Sequence, residues 1–172
     1  MDCAQCVLTS VRAWPELRPL TASLPADTLC PRLPDGAGYD PIDVLAAKEL
    51  GIAVSHTPGS VDNATATTAC YLILAAMRQF WRAETNVRAG KFKESLKPAL
   101  DPEGKTLGIV GMGGIGSVIA HRMAAGWGMK VLYHNRNPIK EGEKGSEYEY
   151  CKSLEEMLGR ADVVSLNLPV RL

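Results

Sequence analysis

The chain has 172 residues, 19 basic against 19 acidic, of which 46% are hydrophobic, 22% charged and 6% aromatic. That is the composition of a globular protein with a real core, and it excludes disordered, fibrous and membrane classes. A formal net charge of zero leaves no overall field to attract nucleic acid or an anionic membrane, so neither is expected as a partner.

Five of the eleven prolines (Pro15, Pro19, Pro25, Pro31, Pro34) fall in the first 35 residues, where no apolar period persists, and this stretch is expected to be mostly irregular. Asp2, Arg12, Glu16 and Arg18 spoil the basic-then-apolar order of a secretory signal. The longest apolar run, Ala69 to Met77, is far short of the roughly 20 residues a membrane span needs. A cytoplasmic protein is expected. Cys3, Cys6, Cys30, Cys70 and Cys151 are odd in number and irregular in spacing, and read as free thiols. The Cys3-x-x-Cys6 pair has no second pair or nearby His to complete a metal site, so no metal is expected.

Further along, Asp40-Pro41 supplies a helix cap and a first-turn proline for a short helix from Ile42 to Leu50, which Gly51 stops. Ile52 to Ser55 then reads as a strand ending at the turn Thr57-Pro58-Gly59. Asp62 or Asn63 can cap one long helix from about Ala64 to Ala89, closed by Gly90. Its apolar stripe is too wide for a lone surface helix; it either packs within its own domain or is also buried in a dimer.

From Thr106 the pattern alternates regularly. Strands are predicted at Thr106–Val110, Lys130–His134, Glu147–Tyr150 and Asp162–Leu168, with helices at Ile115–Ala125 and Leu154–Leu158. Ser153 and Glu156 form a capping box before the second of these helices. Such alternation predicts an α/β fold with a parallel, doubly wound sheet.

Eight of the sixteen glycines lie between Gly104 and Gly128, among them the G-x-G-x-x-G run Gly111-Met112-Gly113-Gly114-Ile115-Gly116. It follows a predicted strand and opens a predicted helix, the context in which this motif cradles a dinucleotide pyrophosphate. Gly111 allows the tight turn, Gly113 lets the backbone approach the phosphates, and Gly116 lets the helix lie against the strand; each position is expected to reject a Cβ. The helix N–H groups from about Gly114 to Gly116 would meet the phosphate oxygens. At the end of the second strand, where a carboxylate normally binds the adenosine ribose, the sequence has Asn135 and Arg136. Asn135 would not repel a 2′-phosphate and Arg136 offers it a charged fork, so the cofactor is NADP or NAD, with NADP favoured.

The segments Gly36–Val44 (GAGYDPIDV), His56–Ala66 (HTPGSVDNATA), Asn86–Phe92, Lys105–Arg122, Gly128–Arg136 and Ala161–Pro169 together resemble the D-2-hydroxyacid dehydrogenase family, most closely its glyoxylate/hydroxypyruvate reductase branch. The resemblance implies an incomplete Rossmann-type parallel sheet with a fragment of a flavodoxin-like substrate domain. Residues 1–59 would be part of the substrate domain. Residues 60–172 would be part of the dinucleotide-binding domain, including the helix 64–89, which would form a homodimer interface. It further implies that Ala37 and Gly38 face the substrate carboxylate, that Gly111 to Gly116 hold the pyrophosphate, and that Leu168 and Pro169 flank the adenine. Asp62 stands where many members carry a cofactor-contacting Thr. The implied reaction is reduction of a small 2-oxoacid, such as glyoxylate or hydroxypyruvate, to the 2-hydroxyacid.

Family catalysis uses an Arg, a His and a Glu or Asp that lie beyond the stretch ending at Val170-Arg171-Leu172, so no catalytic residue maps onto this chain. His56, His121 and His134 belong to other motifs. Arg32-Leu33-Pro34-Asp35 also runs straight into Gly36 where the family has an apolar strand. A truncated or alternatively spliced product, or an erroneous gene model, is the expectation, with negligible reductase activity for the isolated chain. The alternative is a noncatalytic dinucleotide-binding or dimerising fragment.

Overall fold

The computed structural model describes residues 38–168, with Pro41 and Ala53 excepted. Cys3, Cys6, Cys30 and the proline-rich opening lie outside the described residues. Residues 62–168 make one compact unit, and the described residues up to Val61 belong to another.

In the first unit, α1 (Val44–Glu49) is shorter than the expected helix. Its cap is Asp43 rather than Asp40, because the Asp43 Oδ1 accepts the Ala46 N–H at 3.0 Å. The proposed first-turn Pro41 lies outside the described residues. Of the expected strand from Ile52 to Ser55, Val54 is a bridging residue, Ile52 and Ser55 are not in a strand, and Ala53 lies outside the described residues.

The second unit is built on a four-stranded, wholly parallel sheet of β1 (Thr106–Val110), β2 (Lys130–His134), β3 (Glu149–Tyr150) and β4 (Val163–Leu166), in the order β3-β2-β1-β4. The strands therefore occur where the sequence predicts them, with the last two shorter. The central pair is almost wholly apolar, as a parallel strand covered on both faces must be. Alternation assigns the faces. Leu107, Ile109, Val131 and Tyr133 pack with the helices α2 (Asp62–Arg78) and α4 (Gly114–Trp127). Val110 and Leu132 pack with Cys151 and Met157, the latter on α5 (Leu154–Arg160). Burying each such side chain contributes about 1.5–3 kcal/mol.

Local chemistry closes the elements. Gly128, at φ 62°, ends α4 in the left-handed conformation that glycine adopts without steric cost, and its N–H bonds to the Ala124 carbonyl. Ser153 caps α5 by accepting the Glu156 N–H at 3.2 Å, but its own hydroxyl donates to Glu155 and Glu156 turns to Arg160, so only half of the expected capping box forms. Arg160 also donates to Glu149, tying α5 to β3 and holding that carboxyl below its usual range. Asp162 accepts the Thr106 N–H at 2.8 Å and seats the start of β1 beside β4.

The predicted single helix over 64–89 is two helices. α2 ends at Arg78, Gln79 adopts the left-handed conformation (φ 56°, ψ 37°), and α3 (Phe80–Arg88) begins beyond it. The returning chain explains the break. Leu100 donates its N–H to the Met77 carbonyl at 3.0 Å, taking the acceptor that a continuous helix would offer to Trp81. The Gln79 amide donates to the carbonyls of Lys97 and Pro98 at 3.3 and 3.4 Å. These bonds offset a left-handed residue's cost of about 1–2 kcal/mol. Replacing Gln79 by Val should destabilise the unit by about 1–2 kcal/mol, because a β-branched residue is disfavoured at positive φ, whereas Gly should be tolerated. Chemical denaturation of the two variants checks this; equal stability would place the break elsewhere.

Candidate functional site

The glycine run leaves the carboxyl end of β1, the central buried strand, and enters α4. Gly111 has φ +96°, and a Cβ there would lie 2.5 Å from the carbonyl oxygen of Asn167 and 3.0 Å from a methyl of Leu168. Only glycine satisfies both the dihedral and the approach of the segment after β4. A Cβ on Gly116 would run into the Gly111 carbonyl oxygen and lie 3.3 Å from Ile109, so α4 rests directly on the end of β1. Gly113 is different in kind, because the expectation there is close approach to a phosphate rather than to a protein atom. No atom of the described residues lies within 4 Å of its ideal Cβ, so none of them demands glycine there.

The backbone donors divide into two sets. The Gly111 N–H goes to the His134 carbonyl at 3.1 Å, and the Met112 N–H goes to the Asn135 Oδ1 at 2.8 Å. Gly113 caps α4 in extended conformation without a side-chain cap, and its carbonyl takes the first helical bond, from Ser117 at 2.9 Å. The N–H groups of residues 113 to 116 have no acceptor among the described residues. Gly113 and Gly114 are exposed, Ile115 is half-buried and Gly116 is buried, so the first of these donors lie at the surface, where the dipole of a 14-residue helix favours an anion.

The other predicted site residues lie around this turn or away from it. Met112 and Ile115 turn their side chains into the core, and Met112 packs against Ile139 and Gly145. Asn135 is half-buried, and its backbone carbonyl accepts the Tyr150 hydroxyl at 3.2 Å. Arg136 is exposed and makes no ion pair among the described residues. Leu168, through the methyl beside Gly111, borders the turn. Gly38 is exposed in the first unit; Ala37 and Pro169 lie outside the described residues.

Two further residues stand at the turn, of which the family resemblance singles out only Asp62. The Asp62 carboxylate, at the start of α2, lies where a Cβ on Gly114 would stand and adds a negative charge beside the first turn of α4. Asn167 closes over Gly111. Both come from segments about 50 residues distant in sequence, so no local spacing could reveal them.

No histidine joins the turn as an acid/base group. His121 is exposed on α4, His56 meets the Tyr39 ring edge-on at 5.2 Å, and the His134 Nδ1 lies 3.0 Å from the Cys151 carbonyl. Burial raises the thiol pKa of Cys70 and Cys151, so neither is an activated nucleophile. No group of metal-ligating side chains occurs among the described residues, and no helix among them is long and apolar enough to cross a membrane.

Residues 70–171 match the NAD-binding domain of the D-isomer specific 2-hydroxyacid dehydrogenases. The 4-methyl-2-oxopentanoate reductase A of Aspergillus oryzae is 45% identical over 134 residues, which are 78% of this chain and 40% of that protein. Among solved structures, a glyoxylate reductase from Paecilomyes thermophila has 45% identity and a TM-score of 0.77, covering 90% of this chain and 46% of the other. An NADPH-dependent glyoxylate/hydroxypyruvate reductase from Sinorhizobium meliloti, in complex with NADP and malonate, has 34% identity and a TM-score of 0.69 over 83% of this chain and 44% of its own. The chain thus spans less than half the length of these relatives.

The geometry separates two glycines that the motif treats alike. Gly116→Ala should lower the melting temperature by several degrees or prevent folding, because strand and helix must move apart. Gly113→Ala should leave the fold intact and weaken only a ligand that approaches the turn. Thermal denaturation together with nucleotide titration checks both; a strongly destabilised Gly113→Ala would contradict the open space at that position.

Proposed function

The chain belongs to the D-isomer specific 2-hydroxyacid dehydrogenase family, and on that premise we propose that it holds the NAD(P) cofactor of an oxidoreductase acting on a small 2-oxoacid such as glyoxylate or hydroxypyruvate. The observation that carries this reading is the uncapped turn at Gly113, whose neighbouring N–H groups have no acceptor among the described residues and above whose glycine those residues leave open space. A pyrophosphate fits that combination, since it brings several acceptor oxygens and negative charge to the helix start.

In this reading residues 113 to 116 bind the pyrophosphate through backbone N–H groups. Gly111 and Gly116 act indirectly, by letting strand and helix meet. Asn135 and Arg136 bind the adenosine ribose, and Leu168 with Pro169 flanks the adenine. Ala37 and Gly38 meet the substrate carboxylate, and residues 1–59 belong to the substrate side of the enzyme. When bound, the nicotinamide supplies the hydride for the substrate carbonyl. Asp62 opposes the negative phosphates and so sets part of the cofactor's affinity. A cytoplasmic setting accords with the free thiols Cys70 and Cys151.

NADPH is the favoured cofactor because Arg136 is exposed and unpaired among the described residues, and no carboxylate stands at position 135 to repel a 2′-phosphate. Charge-assisted hydrogen bonds of this kind contribute about 1.5–3 kcal/mol, roughly ten- to hundredfold in affinity. Titration followed by fluorescence or calorimetry should give tighter binding of NADPH than of NADH, and Arg136→Ala should weaken NADPH by about tenfold while leaving NADH nearly unchanged. Tighter binding of NADH to the native chain would reject the preference, and binding of neither would reject the site.

The homodimer reading is carried by exposed apolar side chains on α2 and α3, including Tyr71, Leu72, Trp81 at 62% and Val87 at 64% exposure. Large apolar side chains exposed in this number on neighbouring helices suit an interface. Sedimentation velocity at micromolar concentration should report a dimer that Trp81→Glu dissociates. A native monomer would reject this reading.

A further inference from the structure

We infer that Asn135 is a positioning residue that holds the glycine turn with its side-chain carbonyl and, because of that bond, can present only its amide N–H₂ to a bound nucleotide. The inference rests on the reading that the nucleotide lies on the turn. It adds how recognition at the ribose end and the shape of the turn are joined in one side chain.

The Met112 N–H can only donate, so the atom 2.8 Å from it must be the Asn135 Oδ1. Turning the amide over would set an N–H₂ against an N–H, two donors with no acceptor. The half-buried bond therefore selects one of the two amide orientations and leaves Nδ2 as the outward group. The backbone around it is also held. The preceding carbonyl, of His134, accepts the Gly111 N–H at 3.1 Å, and the Asn135 carbonyl accepts the Tyr150 hydroxyl at 3.2 Å. Two successive donors of the turn, Gly111 and Met112, are thus tied to two successive residues at the end of β2.

A carboxylate at position 135 could also accept the Met112 N–H, but its second oxygen would be another acceptor, suited to a ribose hydroxyl and opposed to a phosphate. Asparagine keeps the bond to the turn and reverses the outward polarity. Its N–H₂ can donate to an oxygen that carries negative charge, and the exposed guanidinium of Arg136 follows it in sequence. The side chains of Asn135 and Arg136 then offer donors only, which suits the acceptor-only oxygens of a 2′-phosphate.

Asn135→Asp and Asn135→Ala separate the two roles in the full chain. Hydrogen exchange at the Met112 amide reads the positioning role without any ligand. Exchange should be slow in the native chain and in Asn135→Asp, and about tenfold or more faster in Asn135→Ala. Titration with NADPH and NADH reads the outward group. Asn135→Asp should lower the NADPH-to-NADH affinity ratio by about tenfold or more, while Asn135→Ala should weaken both nucleotides. If Asn135→Ala does not fold, Asn135→Asp still decides the ratio. Equal Met112 exchange in the native chain and Asn135→Ala would overturn the positioning role. An unchanged ratio in Asn135→Asp would overturn the donor role. A native chain that binds neither nucleotide would instead reject the reading beneath it, and with it the donor role, while the exchange result would judge the positioning role by itself.

Discussion

The carbonyl oxygen of Gly111 lies where a side chain on Gly116 would begin, and the second unit is organised around that contact. It lets α4 start directly against the end of the central strand, so that Ile119, Ala120 and Met123 can reach the core shared with Leu107 and Ile109. The same close approach leaves the start of the helix bare. A larger residue at position 116 would push α4 outward, opening the core and moving the N–H groups that point away from the sheet. Packing and ligand geometry are consequently set by one missing Cβ.

Hydrogen-bond accounting then decides what the turn can bind. Its first two N–H groups are used internally, by His134 and Asn135, and those that follow have no acceptor among the described residues. A site made of unpaired backbone donors at a helix start selects for distributed negative charge. Asp62 works against this selection from the neighbouring helix. The balance between the two, rather than the glycine motif alone, would set how strongly an anion is held in the proposed site.

Much of this was legible because the signals are local. The strands Thr106–Val110 and Lys130–His134 carry unbroken apolar runs, and the strand-turn-helix order around Gly111 to Gly116 identifies the turn. The break at Gln79 escaped reading because it depended on a distant partner. Gln79 has no helix-breaking chemistry of its own; α2 stops because the Leu100 N–H takes the Met77 carbonyl. Asp43 displaced Asp40 as the cap of α1 because its carboxylate reaches the Ala46 N–H. At Gly113 the space is open among the described residues, so a demand for glycine there has to come from something other than them.

The sequence by itself determined the alternation of strand and helix, the parallel sheet that follows from it and the location of the glycine turn, because periodicity and the missing Cβ are properties of neighbouring residues. Tertiary structure decided which donors remain available, which side of the Asn135 amide faces outward and that Asp62 stands beside the turn. Each of these is a contact between groups 20 to 50 or more residues apart, created only when β1, β2 and the helices pack together.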